Sequence, residues 1–226
     1  MKLLLKIIKF FISTRFSLKL LLRIDNVLYK LITISAIENN QGVHPKQRII
    51  NYEKWFIDQI NENSVVLDIG SNLGQMAKKM SSKCKLVYGI EINKESINFS
   101  KKLETQNLKF IHGDATTFDY KKLEKVDYVT LSNVLEHIDN RISFIKKLID
   151  EISWNSKPKF LIRVPMIDRE WISVYKKEIG VEWKLDNTHF TEYSLSQFKD
   201  EMIVNNLTLN NYSIKFGELF ASCDRD

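Results

Sequence analysis

VVLDIGSNLG, residues 65–74, is the stretch on which the fold turns. An apolar run that carries one acid near its end and meets a glycine reads as a buried parallel strand opening into a tight turn and then a helix. Gly70 and Gly74 have no Cβ, so the backbone between them, through Ser71 and Asn72, can turn sharply and approach a ligand closely. Asp68 falls at the carboxyl end of the strand, the edge at which open α/β sheets bind ligands. A second apolar run, LVYGIE, ends in Glu91, 21 residues beyond Gly70. A carboxylate so placed can accept hydrogen bonds from two ribose hydroxyls, and the two runs together predict a nucleotide-type cradle.

The glycine spacing narrows the ligand. A dinucleotide fingerprint reads G-x-G-x-x-G, so that a helix N-terminus holds a pyrophosphate. This chain has D-x-G-x-x-x-G instead, with Asn72 where a second glycine often stands. The stretch resembles the S-adenosylmethionine (SAM) loop of class I methyltransferases, whose cofactor carries no phosphate. Further along, GDA at 113–115 resembles the segment of that family in which an aspartate, Asp114 here, bonds the adenine amino group. Asp68, Gly70, Gly74, Glu91 and Asp114 come in the order of successive strand ends, as one ligand lying along a sheet edge requires.

SNVLEHI, residues 132–138, follows a fourth apolar strand from Val126 that leads into a helix near Glu136. It resembles the loop after strand four in class I methyltransferases of small molecules and sugars, which closes over the methyl donor. His137 is a candidate general base, because imidazole titrates nearest neutrality. The alternative is that it only caps or packs at the helix start. A related subset carries E-x-x-E-H here and, with a later histidine, binds a divalent metal; Asn133 replaces the first of those glutamates, so no metal is expected despite Glu136, His137 and His189.

PKFLIRVPM is a fifth strand that ends at Pro165, and a long aromatic connection follows, containing Trp171, Tyr175, Trp183, Phe190 and Tyr193. Its RVPM, REW, DNTHF and EYS elements resemble methyltransferases of type 11/23, of the kind found with bacterial surface-polysaccharide genes. The aromatics are read either as a wall for a sugar face or as a patch sealing the sheet edge. The resemblance covers residues 46–226 and implies a Rossmann-like, mostly parallel sheet with helices on both faces, closed by antiparallel β structure. It implies O-methylation of a sugar or glycoconjugate hydroxyl with SAM as cofactor. Asp68, Gly70, Ser71 and Gly74 would hold the methionine half, Glu91 the ribose, Asp114 and Ala115 the adenine, with Asn72 and Ile92 also against the cofactor, Asn133 lining the loop and His137 or His189 taking the proton. A non-catalytic SAM-fold binding module and a dehydrogenase are the other classes considered.

Composition bounds the remainder. A hydrophobic fraction of 44% with seven glycines and three prolines describes a globular chain, and two cysteines, Cys84 and Cys223, match no metal spacing and suggest a reducing, cytoplasmic setting. The net charge of +6 is concentrated in residues 1–48, which carry nine basic side chains against Asp25 and Glu38. The rest is near neutral, which argues against nucleic acid as a partner. Residues 1–45 read as basic amphipathic helices. Lys2, Lys6, Lys9, Arg15, Lys19, Arg23 and Lys30 fall within about half of a helical circumference, and no charge-free run is long enough to span a bilayer. Two expectations follow for residues 1–37: peripheral contact with an anionic membrane, or an apolar face packed on the catalytic domain.

Overall fold

The computed structural model describes Lys9 and residues 13–225. Lys2 and Lys6 of the basic pattern lie outside those residues. The chain divides into two compact units: residues up to Asn51 with Glu170–Leu185, and Tyr52–Arg169 with Asp186 onward.

The smaller unit holds α1 (Arg15–Asn39), α2 (Pro45–Ile50) and α7 (Trp171–Glu178). Thr14 caps α1, its Oγ1 accepting from Ser17 N at 3.1 Å. His44 caps α2 through Nδ1, with Pro45 at the first helical position, where its missing N–H costs nothing. Buried Lys176 of α7 ties the unit together, donating to Asp25 Oδ2 at 2.7 Å and to Asn26 Oδ1 at 2.8 Å. Asn26 in turn donates to the Glu182 carbonyl at 2.8 Å.

The larger unit is built on β1 (Val65–Ile69), β2 (Leu86–Glu91), β3 (Leu108–His112), β4 (Tyr128–Ser132), β5 (Lys159–Pro165), β6 (Leu207–Lys215) and β7 (Glu218–Arg225). They form one sheet in the order β3-β2-β1-β4-β5-β7-β6. β1 to β5 pair in parallel, while β7 runs antiparallel between β5 and β6. Every residue of β1 and β2 is buried, as strands covered on both faces must be. Side chains alternate across the sheet: Val65, Leu67 and Ile69 enter one core with Leu131 and Phe160, and Val66 enters the other with Val87 and Phe110. α6 (Arg141–Glu151) and α8 (Leu195–Val204) supply Phe144, Leu148 and Phe198 to the first core. α3 (Tyr52–Gln59), α4 (Gln75–Ser81) and α5 (Lys94–Ser100) supply Phe56, Met80 and Ile97 to the second. Each fully buried aliphatic or aromatic side chain contributes about 1.5–3 kcal/mol. The expected Rossmann-like sheet with helices on both faces and an antiparallel closing element is therefore present.

Two local expectations differ from the structure. In KQRIINYEKWFIDQI the spacing of Ile49, Tyr52, Trp55 or Phe56 and Ile60 predicts one helix, but the chain breaks at Asn51, whose φ of 51° ends α2 in a left-handed cap. Ile50 is consequently buried and Ile49 exposed, the reverse of the uninterrupted pattern. The helix expected near Glu136 is only a single 3₁₀ turn, Leu135–His137, and α6 starts at Arg141. Asn140 starts it there by accepting from Ser143 N at 3.2 Å.

Candidate active site

The parallel register sets four strand ends side by side. Asp68 pairs in register with Gly89 of β2 and Thr130 of β4, and Glu91 with His112 of β3. The strand order reverses between β1 and β4, so the crevice beyond their carboxyl ends is the switch point at which such sheets take ligands. The glycine loop folds over it. Gly70 N and Ser71 N both donate to the Ile90 carbonyl, at 2.8 and 3.1 Å. Gly70 and Gly74 have φ of 71° and 78°, and a Cβ on them would lie 2.7 Å from Val134 Cγ2 and 2.5 Å from Phe110 Cζ. Both positions therefore exclude side chains on conformation and on space.

The departures Asn72 and Asn133 have the same backbone cause. Their φ values are 49° and 56°, in the left-handed region that asparagine tolerates better than other residues with a side chain. Asn72 N donates to Glu91 Oε2 at 2.8 Å, and Asn93 N to Glu91 Oε1 at 2.7 Å, so two backbone amides hold this largely buried carboxylate at the end of β2. Asn93 Oδ1 also caps α5 by accepting from Glu95 N and Ser96 N. Asn133 N donates to the Arg163 carbonyl at 2.8 Å, fixing the loop after β4.

Three buried polar atoms along this edge lack a hydrogen-bond partner: Asp68 Oδ2, Ser71 Oγ and Asn133 Oδ1. Asp68 Oδ1 accepts from Thr130 Oγ1 at 2.6 Å. Burial, reinforced by the charge of Glu91, pushes the Asp68 carboxyl up to about 7 although the Thr130 hydrogen bond opposes it. Polar atoms so enclosed call for a partner, and a cationic one would suit Asp68 best. At the far end of the edge, Asp114 is half-buried and spends Oδ1 on an Asx turn with Thr116, accepting from N at 2.8 Å and Oγ1 at 2.7 Å. The Ala115 carbonyl accepts from Tyr120 OH at 2.7 Å, and Ile92 is exposed at the end of β2.

A second cluster joins the turn after β4 to the loop before α8. The rings of His137 and His189 meet edge to face with centroids 4.7 Å apart. One donor atom from each of Glu136, His137 and His189 lies within 4.8 Å of the others. Phe190 N donates to the Glu136 carbonyl at 2.7 Å, so the two segments are stitched through backbone. Thr188 Oγ1 donates to Asp186 Oδ1 at 2.8 Å and can then only accept from His137 Nδ1, at 3.0 Å. This relay assigns the proton to Nδ1 and leaves the Nε2 lone pair for chemistry. Desolvation, and then the neighbouring His189, lower the His137 pKa and so favour the neutral ring. His189 is buried, with Nδ1 3.1 Å from Glu192 Oε1, and Glu192 also pairs with Arg169. Glu136 is fully buried, neither carboxylate oxygen accepts from another residue, and burial pushes it up to about 8.

Every residue read from sequence for the cofactor thus lies at the ends of β1 to β4 or in the loops that follow them, and both candidate histidines meet. The sequence alone assigns no role to Thr188, Asp186, Glu192 or Arg169, although DNTHF holds the first two, EYS the third and REW the last. The aromatic connection divides. Tyr193 is buried in the core, donating to Glu201 Oε2 at 3.0 Å, whereas Trp171 and Phe190 are exposed.

Residues 67–151 match the family model described as methyltransferase domain (Methyltransf_11). Among curated proteins, ribosomal RNA small subunit methyltransferase A of Malacoplasma penetrans is 29% identical over 122 residues, covering 53% of this chain and 43% of that protein. This chain spans less than half the length of the curated relatives it matches. Among solved structures, magnesium protoporphyrin IX methyltransferase of Synechocystis, with bound SAH, superposes with a TM-score of 0.60 at 16% identity, covering 80% of this chain and 83% of that one. A SAM-dependent methyltransferase from Aquifex aeolicus gives 0.56 at 14% identity, covering 80% and 89%. The fold is that of the Rossmann-like SAM-dependent methyltransferases.

Proposed function

We propose that this chain is a SAM-dependent methyltransferase that methylates a hydroxyl oxygen, most simply of a sugar or glycoconjugate. The observation that carries the reading is the polar arc along the β1–β4 edge, where Asp68 Oδ2, Ser71 Oγ and Asn133 Oδ1 are buried without partners beside a carboxylate, Glu91, fixed by two amides. Bound SAM supplies a methyl group on a sulfonium, an electrophile whose leaving group needs no protonation. Asp68 and the Gly70–Gly74 loop would hold its cationic methionine half, Glu91 and Ile92 the ribose side, and Asp114 with Ala115 the adenine. His137, bare at Nε2, accepts the acceptor hydroxyl's proton, while Thr188 and Asp186 hold the ring in that tautomer. Alignment in a closed site supplies roughly 7–11 kcal/mol of the rate enhancement, and a positioned base about 10²–10⁴-fold more. Asn72 and Asn133, which replace common family residues and so suggest a catalytically silent module, stand in left-handed turns that asparagine tolerates, a backbone reason for them that leaves the catalytic reading in place.

A second reading of the proton step rests on Glu136. A fully buried carboxylate with both oxygens unpartnered, beside two imidazoles, fits a divalent cation held by Glu136, His137 and His189. Such a cation would supply Lewis acidity toward the acceptor oxygen in place of a free imidazole base. The test is transfer of labelled methyl from SAM to a panel of glycans and glycolipids, with and without EDTA. Turnover that survives chelation supports His137 as the base, turnover restored by manganese supports the cation, and no transfer to any acceptor with SAM bound supports a binding module.

A further inference from the structure

Helix α1 is packed the wrong way round for a soluble surface helix. On a helix of about 100° per residue, Leu22, Asn26 and Thr33 fall within about 40° of one another. Leu22 is the one buried residue of α1, and the half-buried Leu18, Lys19, Asn26, Thr33, Ala36 and Ile37 all fall within about 60° of it, so this is the packed side. The opposite side carries Leu20, Ile24, Val27, Leu28 and Leu31, all exposed, with Ile24 at 46% and Val27 at 57%. In all, ten large apolar side chains of this single helix are exposed. An apolar stripe of that length facing solvent marks an interaction surface.

The charges identify its partner. Lys30 and Arg23, at about 80° and 100° from Leu22, lie along one flank between the packed side and the apolar face, with Lys19 at about 60° on the edge of the packed side and Arg15 in line with it near the helix start. Their long side chains can lay their stems along the apolar surface and lift their charges to its rim. Asp25, the acid in the middle of the helix, is ion-paired with Lys176 at 2.7 Å, so it does not cancel the cationic flank. A second copy of the chain, laid antiparallel on this face, would bring like-charged flanks together, whereas a bilayer surface with anionic headgroups offers the opposite charge at the same height. No helix among the described residues is long and apolar enough to cross a membrane.

We propose that α1 docks this protein on an anionic lipid surface, with Leu20, Ile24, Val27, Leu28 and Leu31 in the headgroup–acyl boundary and its cations among the headgroups. Flotation of the full chain with vesicles of phosphatidylcholine alone, and of phosphatidylcholine mixed with phosphatidylglycerol, tests this. Binding is expected only with phosphatidylglycerol, weakening with salt and falling about five-fold for each of Arg23 and Lys30 changed to Gln. Ile24→Glu with Leu31→Glu should abolish flotation without changing far-UV circular dichroism or the melting temperature, since both side chains are exposed. An independent reading comes from Leu28→Trp, whose fluorescence should shift to the blue on adding the mixed vesicles. Failure of the full chain to float with either vesicle, or binding indifferent to the cation changes, overturns the proposal. So does a solution dimer that Ile24→Glu dissociates and that does not bind lipid, since a second copy then covers the face.

Discussion

Replacing Asp68 by Asn should separate stability from function at a single atom. The carboxyl is fully buried, one oxygen is satisfied by Thr130 and the other has no partner, and its pKa is about 7 against 3.8 for the ordinary group. Because the folded pKa lies above the unfolded one, the folded state binds the extra proton. Stability is full below about pH 4, falls as pH rises through the window up to the folded pKa, and levels off above it. A rise from 3.8 to about 7 corresponds to a ceiling of roughly 4 kcal/mol. Asp68→Asn keeps an oxygen to accept from Thr130 and abolishes this loss. In the ligand-free state the variant should therefore unfold at higher urea than the parent near pH 8, with little difference near pH 4. SAM should bind about 10- to 150-fold more weakly, as for a lost hydrogen bond to a charged group worth about 1.5–3 kcal/mol. Urea titrations at the two pH values and calorimetry with SAM read both effects. A variant less stable than the parent near pH 8, or one with unchanged SAM affinity, would refute the reasoning.

Glu91→Ala should weaken SAM by about 1.5–3 kcal/mol in calorimetry and lower the urea midpoint, since the Asn72 and Asn93 amides lose their acceptor. His137→Gln should lower kcat about 10²–10⁴-fold in a methyl-transfer assay with SAM affinity unchanged; a parallel loss of affinity would make the residue a loop support instead. Gly74→Ala, with φ at 78° and its new Cβ 2.5 Å from Phe110 Cζ, should cost about 1–3 kcal/mol in urea unfolding, and an unchanged midpoint would count against the strained turn.

The parallel strands were legible because a strand buried on both faces is a short continuous apolar run, and an acid at its end stands out against it. The strand-end order of Asp68, Glu91 and Asp114 followed directly, without knowledge of any contact. Backbone handedness was not legible: Asn72 and Asn133 read as departures from a family pattern until their positive φ values showed them to be turn residues. The link from His137 to Thr188 was invisible for a different reason, since it forms across 51 residues of chain separation, a distance no local pattern spans. Burial of Glu136 belongs to the same class, because a carboxylate in a polar-looking SNVLEHI gives no sign of full enclosure. For α1 the sequence showed amphipathicity but left open which side would be packed, and that side proved to be the one centred near Leu22.

Isothermal titration of the full chain with SAM, and separately with NADH, is the most direct test of the ligand cradle along β1 to β4. One SAM per chain with measurable heat, competed by S-adenosylhomocysteine, and no heat from NADH is the expected result. A folded protein that gives no heat with SAM, or that binds NADH in its place, would contradict it.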